Sequence, residues 1–323
     1  MRKHQLLAAC LLAATAGVQA PAVAQGYPTK PVRMVVTAAA GGITDIMTRQ
    51  MSEQLNRSLG QPMIVENRAG AGGALAMEFV AKSAPDGYTL VIANVGNAAV
   101  APWITRDLAY DPLQMQAVSP VAEVPTIVAI YGKLPVNSLK EFIAYAKANP
   151  GQINYGSAGN ATMPHLAAEV LGHLTGIQMV HIPYKGAAPA GVDLAAGRVQ
   201  LSMLGVGSVR AQLAAGQVRV LAVAAPTRIA ALPDVPTFEE AGLSGYEVTN
   251  WFGVLAPKGT PAAIVQQLNT HIGQAFTDPR VVKLLADGGI LPMKESVDQF
   301  QKRIAADHAK WREIVRIAGI KQE

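Results

Sequence analysis

Between residues 32 and 93 the sequence alternates short apolar runs with longer stretches of helical periodicity, and this alternation restricts the fold more than any other feature. Residues 32–37 read as a strand. Ile43, Met47, Met51 and Leu55 then recur at i, i+4, i+8 and i+12, which predicts a helix over Ile43–Leu59 that Gly60 ends. Residues 63–66 read as a strand and 74–82 as a helix. Pro85-Asp86-Gly87 makes a turn into a strand over 89–93. An order of β-α-β-α-β predicts a parallel sheet with helices on its faces, because parallel neighbours need a crossover.

The pattern restarts after Pro120. Residues 126–131 read as a strand and Leu139–Ala148 as a helix introduced by Ser138 and broken by Asn149-Pro150-Gly151. Strands are expected over 153–155 and 179–182, with helices over 164–175 and 189–196. "LAAGRVQLSML" (194–204) and "LAAGQVRVLAV" (213–223) look like a duplication. Each is read as a helix end capped by Gly197 or Gly216 that runs into a strand. Residues 225–250 are Pro-rich and irregular, 250–256 form a strand, and 261–276, Pro279–Asp287 and 297–318 are helical. The expected fold class is α/β with two lobes. Residues 25–126 and 250–323 would build the first lobe and 127–249 an inserted second one. The chain would cross near Thr126 and near Trp251, forming a hinge.

The start of the chain indicates export. Arg2, Lys3 and His4 precede an uncharged run from Leu6 to Val18, too short to span a bilayer comfortably. Ala22-Val23-Ala24 then reads as a signal-peptidase site, with a second possible cut after Ala20. Leu7-Ala8-Ala9-Cys10 resembles a lipoprotein box but lies too near the N-terminus to leave a working apolar region before it. Cleavage after Ala24 removes Cys10, the only cysteine, so a mature chain would hold no disulfide and no thiolate metal site. Half the residues are hydrophobic and 15% charged, which excludes disorder. The net charge of +5 is spread along the chain, so nucleic acid is not an expected partner.

Two loops carry the functional argument. Gly41-Gly42-Ile43-Thr44-Asp45 stands between a strand and a helix, where backbone N–H groups and a helix N-terminus can face an anion. A P-loop would need Gly-Lys-Ser/Thr there, so that type of phosphate site is excluded. A carboxylate ligand and a plain turn remain. In the second half, Tyr155-Gly156-Ser157-Ala158-Gly159-Asn160 leads through Thr162, a candidate helix cap, to a helix start carrying His165. Ser157 and His165 suggest a hydrolase, but the surrounding glycines are out of register for a nucleophile elbow. "NRAGAGGAL" (67–75) lacks the third glycine of a dinucleotide fingerprint. The histidines show no metal-binding spacing. Tyr184 could wall a pocket and Lys185 could offer a cation. An exported two-lobed chain with a Gly-rich strand-to-helix loop in each lobe is best read as a solute receptor without cofactor or metal.

The stretches "YPTKPVRMVV", "GGITD", "ENRAGAGG", "APDGYTL", "AKANPGQINYGSAGNATMPHLAAE", "IPYKGAAPAGVDLAAGRV", "LAVAAPTRIAALPDVPTFEEAG" and "YEVTNWFGVLAPKGTP" resemble, in order, the periplasmic substrate-binding receptors of tripartite tricarboxylate transporters, the Bug family. The resemblance implies a type II periplasmic-binding-protein fold. It also implies a small carboxylate or related organic solute between the lobes, a membrane permease as partner, and a monomer that is not an enzyme. A receptor that feeds a sensor kinase is the alternative role. The candidate ligand-binding residues are Gly41, Gly42, Thr44, Asp45, Asn94, Ser157, Gly159, Asn160, Thr162, His165, Tyr184 and Lys185. The sequence departs from the family pattern in two places. Thr37 and Ala38-Ala39-Ala40 replace an aromatic residue and proline, which predicts a smaller first jaw. "MLGVGSV" (203–209) keeps only Ser208 of a polar pair, which predicts a more apolar wall.

Overall fold

The computed structural model describes residues 26–41, 43–160, 162–246, 248–317 and 320. The signal-peptide reading of residues 1–24, and Gly42, lie outside them. In chain order the main elements begin with β1 (Val32–Val36), α1 (Ile43–Leu59), β2 (Met63–Asn67), α2 (Ala74–Ala81) and β3 (Thr89–Asn94). A π-helical turn at Gly96–Val100 leads into α3 (Ala101–Ile104) and then β4 (Gln116–Pro125). The middle of the chain forms β5 (Ile127–Tyr131), α4 (Leu139–Ala148), β6 (Ile153–Ser157), α5 (Met163–Thr175), β7 (Met179–Pro183) and α6 (Ala187–Ala195). It continues through β8 (Leu201–Leu204), α7 (Arg210–Ala214) and β9 (Val218–Val223). The last part holds β10 (Thr249–Ala256), α8 (Ala262–Ala275), α9 (Pro279–Asp287), β11 (Leu291–Pro292) and α10 (Val297–Ile317).

The strands form two sheets. The first has the order β11-β4-β10-β3-β1-β2 and the second β7-β6-β8-β5-β9. In the first sheet β1 runs parallel to β2 and β3, while β10 is antiparallel to β3 and β4. In the second, β6 runs parallel to β7 and β8, while β5 is antiparallel to β8 and β9. The two sheets therefore share one plan: three parallel strands in the order second, first, third, then one reversed strand, then a further strand.

Burial on both faces explains why β1 reads as a continuous apolar run. Met34 and Val36 point to one side with Leu90 and Ile92, and meet Met47, Met51 and Leu55 of α1. Val35, Val91 and Ala93 point to the other side and meet Ala76, Met77 and Val80 of α2. The buried stripe of α1 begins at Met47, not at Ile43 as its periodicity predicts; Ile43 is 42% exposed at the loop end of the helix.

The chain passes from the first sheet to the second through Thr126 alone and returns into β10 at Thr249. These passages lie side by side, since Thr249 pairs with Pro125 and Asn250 with Val124. Thr126 O accepts the Ala224 amide at 2.8 Å. Strand directions then fix the loops. Pro125 ends a strand parallel to β1, so it lies at the carboxyl edge of the first sheet. Ile127 pairs with Leu204, the last residue of β8, so it lies at the carboxyl edge of the second. The loops after β1, β2 and β3 and those after β6, β7 and β8 thus flank the same pair of crossings.

Candidate functional site

In the first set of loops Asp45 acts as the anchor. Its carboxylate is 5% exposed and accepts the Gly41 amide at 2.9 Å, Arg49 Nε at 3.0 Å and Asn67 Nδ2 at 2.9 Å. Asn67 also donates to Ala38 O at 3.0 Å and accepts from Arg49 at 2.9 Å. The loop over residues 38–41 is thereby tied to the start of α1 and the end of β2. Burial alone would raise the carboxyl's pKa; the bonds from Arg49, Gly41 and Asn67 outweigh it and hold Asp45 below the usual carboxylate value. The Gly41 amide, expected to be bared for a ligand, is spent on this internal bond. The donors left without intrahelical acceptors are the first-turn amides of α1, those of Ile43 and Thr44 followed by Asp45.

Thr37 is buried and donates to Ile92 O at 3.1 Å. A side chain on Gly73 would come within 2.9 Å of Thr37 Cβ and of Asn97 Nδ2, so the loop after β2 can close on β1 only with glycine there. Asn94, at the end of β3, exchanges bonds with Asn97. Its amide donates to Asn97 Oδ1 at 3.0 Å, and its Oδ1 accepts the Asn97 amide at 3.3 Å. The side-chain nitrogen of Asn97 is buried with no hydrogen-bond partner among the described residues.

The second set of loops repeats this logic with different residues. Ser157 is fully buried, and its hydroxyl reaches Gly159 O at 3.0 Å while accepting the Gly159 amide at 3.1 Å. Thr162 occupies the N-cap position of α5 but makes no side-chain cap bond; its hydroxyl turns back to Gly159 O at 2.7 Å. Gly159 is therefore held from three directions, at φ +127°, in a conformation that favours glycine. His165 lies in the first turn of α5, and its ring stacks on His181 of β7 with centroids 4.0 Å apart and planes 4° apart. His181, not His165, is the partner of Ser157, with Nε2 2.6 Å from Oγ. Ser157 thus holds a loop in place and offers no exposed hydroxyl for nucleophilic attack. Asn160 is exposed, next to Gly159.

The remaining candidates are placed differently from one another. Tyr184 donates its hydroxyl to Asp193 at 2.8 Å, and its ring lies over Gly156. Burial and Asp193 push that phenol up to about 12. The hydroxyl is turned to α6 and away from the Ser157 loop. Lys185 is exposed in the turn before α6. In the stretch predicted to form a more apolar wall, Leu204 and Val206 are buried in the core of the second sheet. Gly289, beyond α9, sits close enough that a side chain on it would meet Val206 at 3.1 Å.

Two sets of helix starts, each locked by its own buried polar residues, flank one pair of crossings. A profile described as the tripartite tricarboxylate transporter family receptor matches residues 47–320. The chain belongs to that family. Protein BugT of Bordetella pertussis is 37% identical over 99% of both chains. An R. palustris protein solved with adipate is 35% identical, with a TM-score of 0.84 over 92% of this chain and all of that one. MatC from Rhodopseudomonas palustris, solved with bound malate, is 31% identical, with a TM-score of 0.80 over 90% of this chain and all of that one. The fold of this TctC-type receptor is thus the two-lobed α/β fold of periplasmic binding proteins.

Within this receptor, sequence reasoning missed Asn67, Arg49 and His181. A signal for Arg49 was present: Asp45 and Arg49 are four apart on one helix, the spacing of an ion pair. Asn67 and His181 come into play only through strand order, because each ends or edges a strand next to the one that carries the loop it holds.

Proposed function

We propose that this receptor binds a small organic acid between two lobes and passes it to a membrane permease from the periplasm. Residues 25–126 and 250–323 would form one lobe and 127–249 the other, with Thr126 and Thr249 as the hinge. The reading is carried by one observation: paired crossings bring the carboxyl edges of both sheets to one side, where ligands of open α/β sheets sit. The relatives solved with adipate and malate favour a carboxylate over other anions.

One carboxylate would rest over the start of α1 on the Ile43 and Thr44 amides, with Gly41, Gly42 and Asp45 shaping the turn. Charge-assisted bonds of this kind contribute about 1.5–3 kcal/mol each. The exposed Ile43 side chain beside them offers an apolar surface to the carbon chain of the acid. The loop Ser157–Asn160, with Thr162 and His165 at the start of α5, would close from the other side, and Lys185 would add positive charge at its rim. Contacts made to both lobes exist only when these approach, so the acid shifts the hinge equilibrium toward closure.

A thermal-shift screen of the signal-free protein against mono-, di- and tricarboxylates tests this reading. A ligand at a hundred times its Kd adds about 2.7 kcal/mol of stability. For a chain of this size that raises Tm by several degrees. At least one class of acid should do so; a flat response to all of them would overturn the reading.

A further inference from the structure

One half-buried cluster lies behind the second loop set: the stacked imidazoles of His165 and His181. They lie face to face at 4.0 Å and 4°. Tyr155 of β6 lies beside His181 at 4.9 Å and 16°. The hydroxyl of Tyr155 is bonded to Glu169 of α5, whose same oxygen stands 3.9 Å from His165 Nε2. Ser157 Oγ is 2.6 Å from His181 Nε2, and the same oxygen takes the Gly159 amide. Tyr155 and Ser157 from β6 and Glu169 from α5 are among the titratable and polar groups that face the pair.

We propose that this pair is a proton-operated release for the second loop set, resting on the receptor reading above: with both rings neutral it holds the Ser157–Gly159 loop in its closing shape, and protonation drives the rings apart and frees the loop. Three features disfavour a cation at this place. The rings are too close for both to carry charge. His165 stands in the first turn of a helix, where the dipole opposes positive charge. Burial holds its pKa below the ordinary imidazole value. Glu169 works the other way, but it already accepts the Tyr155 hydroxyl, and its 3.9 Å separation is longer than a hydrogen bond. The sign follows. A histidine with a depressed native pKa costs nothing above its unfolded value near 6.5, and destabilises the native arrangement as pH falls from there through its native value. Closure is favoured at neutral pH and lost in acid.

Two measurements on the signal-free protein decide it. In the first, the histidine ring resonances and the Gly159 amide are followed by NMR from pH 8 to pH 5 without ligand, with assignment by His165→Gln and His181→Gln. At least one ring of the pair should titrate well below 6.5, and Gly159 should shift with the same midpoint. Two independent titrations near 6.5, or a Gly159 amide that ignores them, would overturn the proposal. In the second, adipate affinity is measured over the same range. It should fall about tenfold per pH unit below that midpoint, and His165→Gln should flatten the profile to the slope set by the acid's own titration. An equal slope in the variant would count against the switch. If adipate binds at no pH, the choice of ligand fails, and the ring titration still decides the release.

Discussion

Asp45 accepts three donors on one carboxylate, and each comes from a different part of the site: Gly41 from the loop, Arg49 from the helix and Asn67 from the neighbouring strand. Asp45→Ala should therefore loosen the loop over residues 38–41 and cost about 1–3 kcal/mol of stability, since three donors lose their acceptor. Urea denaturation reads that loss, and acid affinity should fall with it. The pH dependence has a definite sign. The native pKa of Asp45 lies below its unfolded value, so its contribution is full above the unfolded value and is lost as pH falls through the native one. The stability gap between wild type and Asp45→Ala should therefore begin to narrow only below about pH 4 and close as pH falls through the native value. Gly73 is a second point of strain control. It holds φ +95° with Thr37 and Asn97 at 2.9 Å from a would-be side chain. Gly73→Ala should cost about 1–3 kcal/mol and weaken binding, because Thr37 lies next to the ligand loop. Of the candidate residues, the sequence singles out Asp45 and Ser157 but not the bonds they make. The sequence presents them as groups near a ligand, whereas the folded chain uses them to fix backbone. That difference is set by partners far away in sequence, which no local pattern announces.

At the level of elements, most of the alternation could be read directly. Helices α1, α4 and α9 run over the residues that their periodicity and caps predict, because each carries its own start and stop signals. Strand β4 is the main omission. Its sequence QAVSPVAEVP contains two prolines and reads as a break. In the structure Pro120 lies opposite Gly253, between two register shifts of β10, where an irregular ladder tolerates a missing N–H donor. Strand β11 has two residues and no pattern to detect. The same part of β10 explains how α10 docks. A side chain on Gly253 would collide with the ring of Phe300, which is itself fully buried and meets Trp251 edge-on at 5.1 Å. Gly253→Ala should displace α10 from the sheet and cost about 1–3 kcal/mol as overpacking does, with the loss visible in thermal unfolding and in the environment of Trp251 by fluorescence. Trp251 is further fixed by its 2.6 Å bond to Asp307 of α10. The passage back from the second sheet is thus braced by the C-terminal helix.

For the whole molecule, a repeated plan explains the family resemblance and the geometry together. Each sheet places one reversed strand, β10 or β5, beside three parallel ones, and each reversed strand begins at a crossing. This arrangement leaves the loops of both sheets beside the two crossings, with a locked helix start in each set. The sequence made the two-part organisation legible through its restart after Pro120, but not the adjacency of the crossings, which depends on the pairing of Thr249 with Pro125. The central claim is that helix-start amides of both lobes converge on one acid. A crystal structure of the signal-free protein grown with adipate tests it most directly. The account predicts one carboxylate over the Ile43 and Thr44 amides, with the Ser157–Asn160 loop and the start of α5 closing on the other side. Adipate bound elsewhere, such as the surface groove formed by Glu295, just before the C-terminal helix, and Lys302 and Arg303 on it, with the space between the two loop sets filled by side chains, would contradict it.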